Sequence, residues 1–347
     1  MRRILTYPAA IREAIEQEMS RDPAVIVLGM GVDDPKGILG TTKGLLQQFG
    51  PQRVFDTPLS EDGMTGVAIG AALAGLRPVH VHIRMDFILL AMNQIVNMAV
   101  KMHYMFGGKL CVPLVIRCMI GKSWGQGPQH SQSIYSLFMN IPGLKIVAPS
   151  TPYDAKGCLI QAIRDNNPVI FVEHRLLYYQ KGCVPKKQYV VPFGKARILV
   201  KGSDITLIGI SQMAVECLRA QKYLQEKGIK AEVIDLLSLY PLDMDAIEAS
   251  VLKTGRLIVV DNGWMTCGAG AEIICRLLEK GIANNIKFQR MGFAFTPCPT
   301  TPKLEEHFYP NAKKIASEAY MLLHPGRKAW QPSGKLKIEE VEFKGPF

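Results

Sequence analysis

The sequence predicts an α/β protein of two successive units, each a mostly parallel sheet covered by helices on both faces. Three observations carry that reading. Short apolar runs that read as buried strands alternate with longer segments of helical periodicity. The alternation stops near Tyr179, passes through a stretch rich in Lys, Gly and Pro, and resumes at Ile205. Polar residues suited to chemistry fall between a strand and the helix that follows it, where open parallel sheets place their ligands.

The elements follow in order. Residues 7–20 place Ile11, Ala14, Ile15 and Met19 at helical spacing, and the run from Val25 to Gly29 reads as a buried strand. Gly66 to Leu76 is predicted as a helix of small residues, Val79 to Ile83 as a strand, Phe87 to Met105 as a long apolar helix and Leu114 to Arg117 as another strand. Lys145 to Pro149 leads into a helix from Tyr153 to Asp165 and a strand from Val169 to Glu173. Strands this uniformly apolar suit a sheet buried on both faces. Residues 180–203 read as a linker. A strand from Ile205 to Ile210, a helix over 213–227, a strand from Ala231 to Asp235, a helix over 243–252 and a strand from Arg256 to Asp261 then repeat the pattern. The last stretch loses periodicity and is basic, which predicts an arm or tail.

Composition narrows the function classes. A chain of 347 residues with 48% hydrophobic side chains buries substantial cores. It has no apolar run of the roughly 18 residues that a membrane span needs. Met1-Arg2-Arg3-Ile4-Leu5 passes into a helical pattern without a secretory core, so a cytoplasmic protein is expected. The eight cysteines are scattered with no Cys-x-x-Cys pair, which predicts reduced thiols over zinc ligands or disulfides. The formal charge of +11 is dispersed, apart from Lys186-Lys187 and the tail from Arg327 to Lys337, and lacks the aromatic interleaving of RNA-binding modules. An acidic partner or an anionic cofactor accounts for it, and no nucleic-acid partner is expected.

Three segments could carry chemistry. Asp56-Thr57-Pro58-Leu59-Ser60-Glu61-Asp62-Gly63 joins a strand to a helix; it reads either as a helix start capped by Ser60 or as a ligand-binding edge led by Glu61. Gly121 to Ser133 is a glycine-rich loop with His130 near its end, a group that exchanges protons near neutral pH. Ala162-Ile163-Arg164-Asp165-Asn166-Asn167-Pro168 ends a helix in turn chemistry, and such a turn can also aim carbonyls and a carboxylate at a monovalent cation.

With these segments in order, the chain resembles the beta subunit of the thiamine-diphosphate-dependent decarboxylating component of pyruvate, branched-chain 2-oxo acid and acetoin dehydrogenase complexes, to about residue 320. The blocks that carry the likeness include Arg53-Val54-Phe55-Asp56-Thr57-Pro58-Leu59-Ser60-Glu61, Ala74-Gly75-Leu76-Arg77-Pro78, Gln129-His130-Ser131-Gln132-Ser133 and Ala162 to Ile170. The resemblance implies two transketolase-like domains: a pyrimidine-binding domain over 1–185 and, after a linker over 186–203, a C-terminal domain over 204–325, with a basic tail over 326–347.

The resemblance also implies roles. Glu61 would hydrogen-bond the aminopyrimidine ring nitrogen, with Leu59, Ile83 and Phe87 lining that ring. His130 would handle the acyl unit and its transfer to a lipoyl group. Leu114, Ala162, Ile163, Asp165 and Asn167 would surround a potassium ion, mainly through backbone oxygens. Magnesium and the diphosphate would be held by an alpha subunit in an alpha2beta2 heterotetramer, since this chain contains no Gly-Asp-Gly run followed about 25 residues later by Asn-Asn, the signature of that partner. A lipoyl acyltransferase is a further implied partner, with a small 2-oxo acid or acetoin as substrate. Many members of the family carry acids where this chain has Met30 and Asn93. That departure keeps open a decarboxylase or carboligase working outside a lipoyl complex. A non-catalytic structural paralogue is the other alternative, but it would be expected to lack Glu61 or His130, and both are present.

Overall fold

The structure, a computed structural model, describes residues 3–122 and 125–334 in two compact units, one formed by 3–122 and 130–193, the other by 125–129 and 194–334. Ser123, Trp124 and the part of the expected basic tail over 335–347 lie outside the described residues.

In the first unit, strands Lys145–Val147, Val169–His174, Val115–Ile120, Arg77–His82, Val25–Gly29 and Val54–Phe55 lie side by side in that order, every neighbouring pair parallel. The register sets Gly29 beside Val81, His82 beside Cys118 and Ile120 beside His174, so the strands end along one edge. The long strands are buried along nearly their whole length, as the uniform runs predict. Helices Tyr7–Arg21 and Pro152–Arg164 each start on a threonine cap followed by a first-turn proline: Thr6 accepts from the Ala9 amide at 3.4 Å and Thr151 from the Asp154 amide at 3.0 Å. The two helices are joined by buried ion pairs, Arg164 to Glu18 at 2.7 Å and Lys156 to Glu13 at 2.6 Å.

Two expectations for this unit need correction. The helix expected from Phe87 to Met105 is broken into a 3-10 segment, Met85–Ala91, a π segment, Gln94–Ala99, and a short α turn, Met102–Met105. Its first turn is tied sideways, because Asp86 accepts hydrogen bonds from the backbone and side-chain amides of Gln132 at 3.1 and 3.0 Å. The stretch over 180–203 is also more than a linker. Lys181–Cys183 pairs antiparallel with Ile4–Thr6, and the Lys156 ammonium donates to the carbonyls of Pro185, Lys186 and Lys187.

In the second unit, strands Lys287–Phe293, Arg256–Trp264, Ile205–Gly209, Ala231–Asp235 and Arg197–Val200 form one sheet in that order, parallel except for the last pair. Arg197–Val200, expected as linker, thus forms the sheet edge. Helices Gln212–Gln225 and Ala312–Leu323 cover one face through Met213, Cys217, Leu224, Ile315 and Ala319. Part of the predicted tail is docked: Trp330 packs against this core, and Lys227 lies 5.4 Å over its ring. Among the described residues, no helix is long and apolar enough to cross a membrane.

Candidate active site

Glu61 is the first residue of helix Glu61–Leu73, just beyond the carboxyl-end edge of the first unit's sheet. Ser60 precedes it with φ −157° and ψ 82°, and its hydroxyl makes no capping hydrogen bond. The side-chain cap that the local sequence suggested is therefore absent. Glu61 instead lines a small pocket with Thr57, His80, Ile83, Arg84 and Phe87. Gly29 lets the chain turn out of the sheet towards this pocket: its φ is +142°, and a Cβ there would meet the Val81 carbonyl oxygen at 2.3 Å. Met30, which follows it, is part of the pocket wall. Asp56 ties two of the loops at this edge by accepting from the amides of Gly31 at 2.7 Å and Thr57 at 2.9 Å.

His130 comes to the same place. Its ring meets Phe87 edge to face, with centroids 5.2 Å apart and planes at 79°. The Asp86–Gln132 hydrogen bonds hold the loop two residues beyond it, and burial raises the Asp86 carboxyl above its usual range against the pull of those bonds. Arg84 donates to the Gly121 carbonyl at 3.1 Å and so fixes the start of that loop. At Gly121, φ is +90° and a Cβ would fall 2.2 Å from His174 Nε2, so only glycine fits. Burial drives His174 down to about 3 and keeps it neutral.

Glu61, Ile83, Phe87 and His130 are thus brought together. Leu59 is not: it is 75% exposed and stands outside the pocket lining. A loop residue has no periodicity from which its direction could be read. Asn93 is also exposed, and its side-chain oxygen accepts from Asn97 at 2.9 Å.

The residues implied for potassium gather around one turn. The carbonyls of Ile163 and Asp165 accept from the Arg77 guanidinium at 3.0 and 3.1 Å, and the Asp165 carboxylate accepts from Lys145 at 2.5 Å. The Asn167 amide donates to that carboxylate at 2.9 Å; the Ala162 carbonyl accepts from the Asp165 amide, and the Leu114 carbonyl from Val169. Among the described residues there is no cluster of three or more His, Cys, Asp or Glu able to hold a metal.

Sequence reasoning missed Asp86, Arg84 and the pair His80 and His82. The signal present was His-Val-His inside an apolar run, which reads as a strand before it reads as a site.

Two successive α/β units, each built on a mostly parallel sheet, make up the fold of the transketolase family. Residues 4–181 match the transketolase pyrimidine binding domain and residues 194–315 the transketolase C-terminal domain, and the chain belongs to this family. It is 45% identical over 338 residues to the beta subunit of acetoin:2,6-dichlorophenolindophenol oxidoreductase of Cupriavidus necator, covering 94% of this chain and 100% of that one. It is 44% identical to the pyruvate dehydrogenase E1 component subunit beta of Rickettsia bellii, over 80% of this chain and 85% of the relative. A solved structure described as a split-gene transketolase, inactive beta4 tetramer, matches the fold with a TM-score of 0.74 at 21% identity, over 93% of this chain and 100% of that one.

Proposed function

We propose that this chain is the beta subunit of a thiamine-diphosphate enzyme that decarboxylates a 2-oxo acid or cleaves acetoin and passes the acyl or aldehyde unit to a lipoyl group. The observation that carries the reading is the convergence of Glu61, Ile83, Phe87 and His130 on one pocket edge. When bound, thiamine diphosphate supplies the nucleophilic carbon and the electron sink. Glu61 holds a proton at the pyrimidine ring nitrogen, Ile83 and Phe87 give that ring apolar walls, and His130 exchanges protons with the reacting unit.

The reading gives the diphosphate and magnesium to an alpha subunit in an alpha2beta2 heterotetramer, with a lipoyl acyltransferase as acceptor and the cytoplasm as location. It takes residues 1–185 as the pyrimidine-binding domain, 204–325 as the C-terminal domain and 326–347 as a basic tail. Potassium belongs to it through the second lone pairs of the Leu114, Ala162, Ile163, Asp165 and Asn167 carbonyls. The charges of Arg77 and Lys145, which reach this turn from neighbouring strands, oppose a further cation there. A second reading, a decarboxylase or carboligase outside a lipoyl complex, draws support from Met30 in the pocket wall, where the family resemblance leads one to expect an acid.

Purification of the chain with and without its alpha subunit tests the proposal. Decarboxylation of 2-oxo acids or cleavage of acetoin, dependent on thiamine diphosphate and magnesium, is expected only from the pair, and robust turnover by the chain alone overturns it. Transfer to a lipoylated domain supports the first reading, and free aldehyde or acyloin without such transfer supports the second.

A further inference from the structure

The strand Arg77–His82 carries two histidines, His80 and His82, that the proposed reaction does not use. They are 3% and 4% exposed, and both line the pocket that Glu61 lines. Two residues apart on a strand, they project to the same face of the sheet, and their rings meet edge to face with centroids 4.4 Å apart. His82 Nε2 lies 3.5 Å from the hydroxyl of Thr65, a fully buried residue four positions after Glu61 in the same helix. That spacing puts Thr65 on the helical face of Glu61, so the histidine pair sits under the helix that presents the glutamate.

The tautomer of His80 follows from its neighbours. Its Nδ1 lies 3.4 Å from the Leu28 carbonyl on the adjacent strand. A carbonyl only accepts, so Nδ1 carries the hydrogen and Nε2 keeps a lone pair. That Nε2 is buried and has no hydrogen-bond partner. Leaving a buried acceptor unpaired is unfavourable for the folded chain on its own, so such an atom in a pocket wall points to a donor on whatever binds there.

We propose that Nε2 of His80 accepts a hydrogen bond from an N–H donor of the ring that occupies the Glu61 pocket, with His82 holding the imidazole at its angle. The inference rests on the reading of this pocket as the site of the aminopyrimidine, and it adds to Glu61, a group aimed at the ring nitrogen, a second polar contact for the ring. Burial supports the required protonation state: it drives His80 down to about 4 and holds His82 well below the usual histidine range, so both are neutral at pH 7.

The test uses the assembly with its alpha subunit and thiamine diphosphate at saturating magnesium, with binding followed by calorimetry. The variant H80L should weaken binding about tenfold, while H80Q, whose side-chain oxygen can stand near the place of Nε2, should recover most of the affinity. Without cofactor, the H80L assembly should melt close to the wild type, because the substitution removes an unpaired acceptor together with the long contact to the Leu28 carbonyl; a residue that only supports the fold would instead give a clearly lower melting temperature with unchanged affinity. In the wild-type assembly labelled with 15N-histidine, the Nε2 resonance of His80 should move when the cofactor is added. Wild-type affinity in H80L, H80Q binding as weakly as H80L, or an unmoved resonance overturns the inference while the wild type still binds. A wild-type assembly that does not bind the cofactor overturns the pyrimidine reading, and this inference with it.

Discussion

The two units share an architecture and differ in what their sheets enclose. The first buries charged and titratable side chains within its strands: His80, His82, Arg117, Glu173 and His174 are all under 5% exposed. Arg117 and Glu173 form a two-point ion pair at 2.7 and 3.0 Å, and the Tyr178 hydroxyl donates to Glu173 at 2.6 Å. The strands of the second unit pack Leu207, Val233, Ile258 and Val260 into its core; they bury the acids Glu232, Asp235 and Asp261 as well, but among the described residues this unit buries no histidine, arginine or lysine. Burying an ion pair costs desolvation that its attraction only partly offsets. The difference teaches that the first sheet buries cations and histidines together with their acids, whereas in the second a buried acid such as Glu232 is met by a cation, Lys253, that stays half-exposed at the surface.

The sharpest way to break the comparison is Glu61→Gln. Turnover of the reconstituted assembly should fall about 10²- to 10⁴-fold with an unchanged melting temperature, because Glu61 is only half-buried and the helix start does not depend on a side-chain cap. Retained turnover would place the chemistry elsewhere.

Next in size is Arg117→Met, which leaves the Glu173 carboxylate buried without its partner and should cost roughly 3–5 kcal/mol in denaturant unfolding. Adding Glu173→Met should recover much of the loss. In the second unit, Ile258→Ala should cost about 2–5 kcal/mol through its cavity alone, and no second substitution of a charged group should rescue it. Equal behaviour at the two sites would erase the contrast drawn between the sheets.

A further difference separates the units by pH. His80 titrates near 4 and His174 near 3 in the folded chain, both pushed down mainly by burial. Unfolded histidine titrates near 6.5, so between that value and 4 the unfolded state binds more protons, and stability falls as the pH falls. Each of the two should contribute about 1.4 kcal/mol per pH unit in that window. The histidines of the second unit, His307 and His324, are not buried. Hydrogen exchange at pH 5 against pH 7 should therefore show loss of protection concentrated in the first sheet. Uniform loss across both sheets would contradict the assignment.

Much of this was legible in the residues. Uniform apolar runs revealed the strands because a sheet covered on both faces demands them, and the interruption after Tyr179 marked the passage to a second unit. Glu61 and His130 could be placed at a strand edge because ligands in such sheets gather there. The family likeness supplied their roles.

What the chain determined by itself was local: the periodicity and the threonine caps and prolines of the helix starts. Only the tertiary structure decided that Leu59 is exposed outside the pocket lining, that the helix expected from Phe87 breaks where Asp86 reaches Gln132, and that Arg197–Val200 closes a sheet edge. It alone turned His-Val-His from two odd residues in a strand into an unpaired acceptor beside Glu61. The physical reason is range. Helical and strand patterns are written within a few residues, whereas the partner of a buried polar atom is set by strand register and by loops that meet across tens of positions.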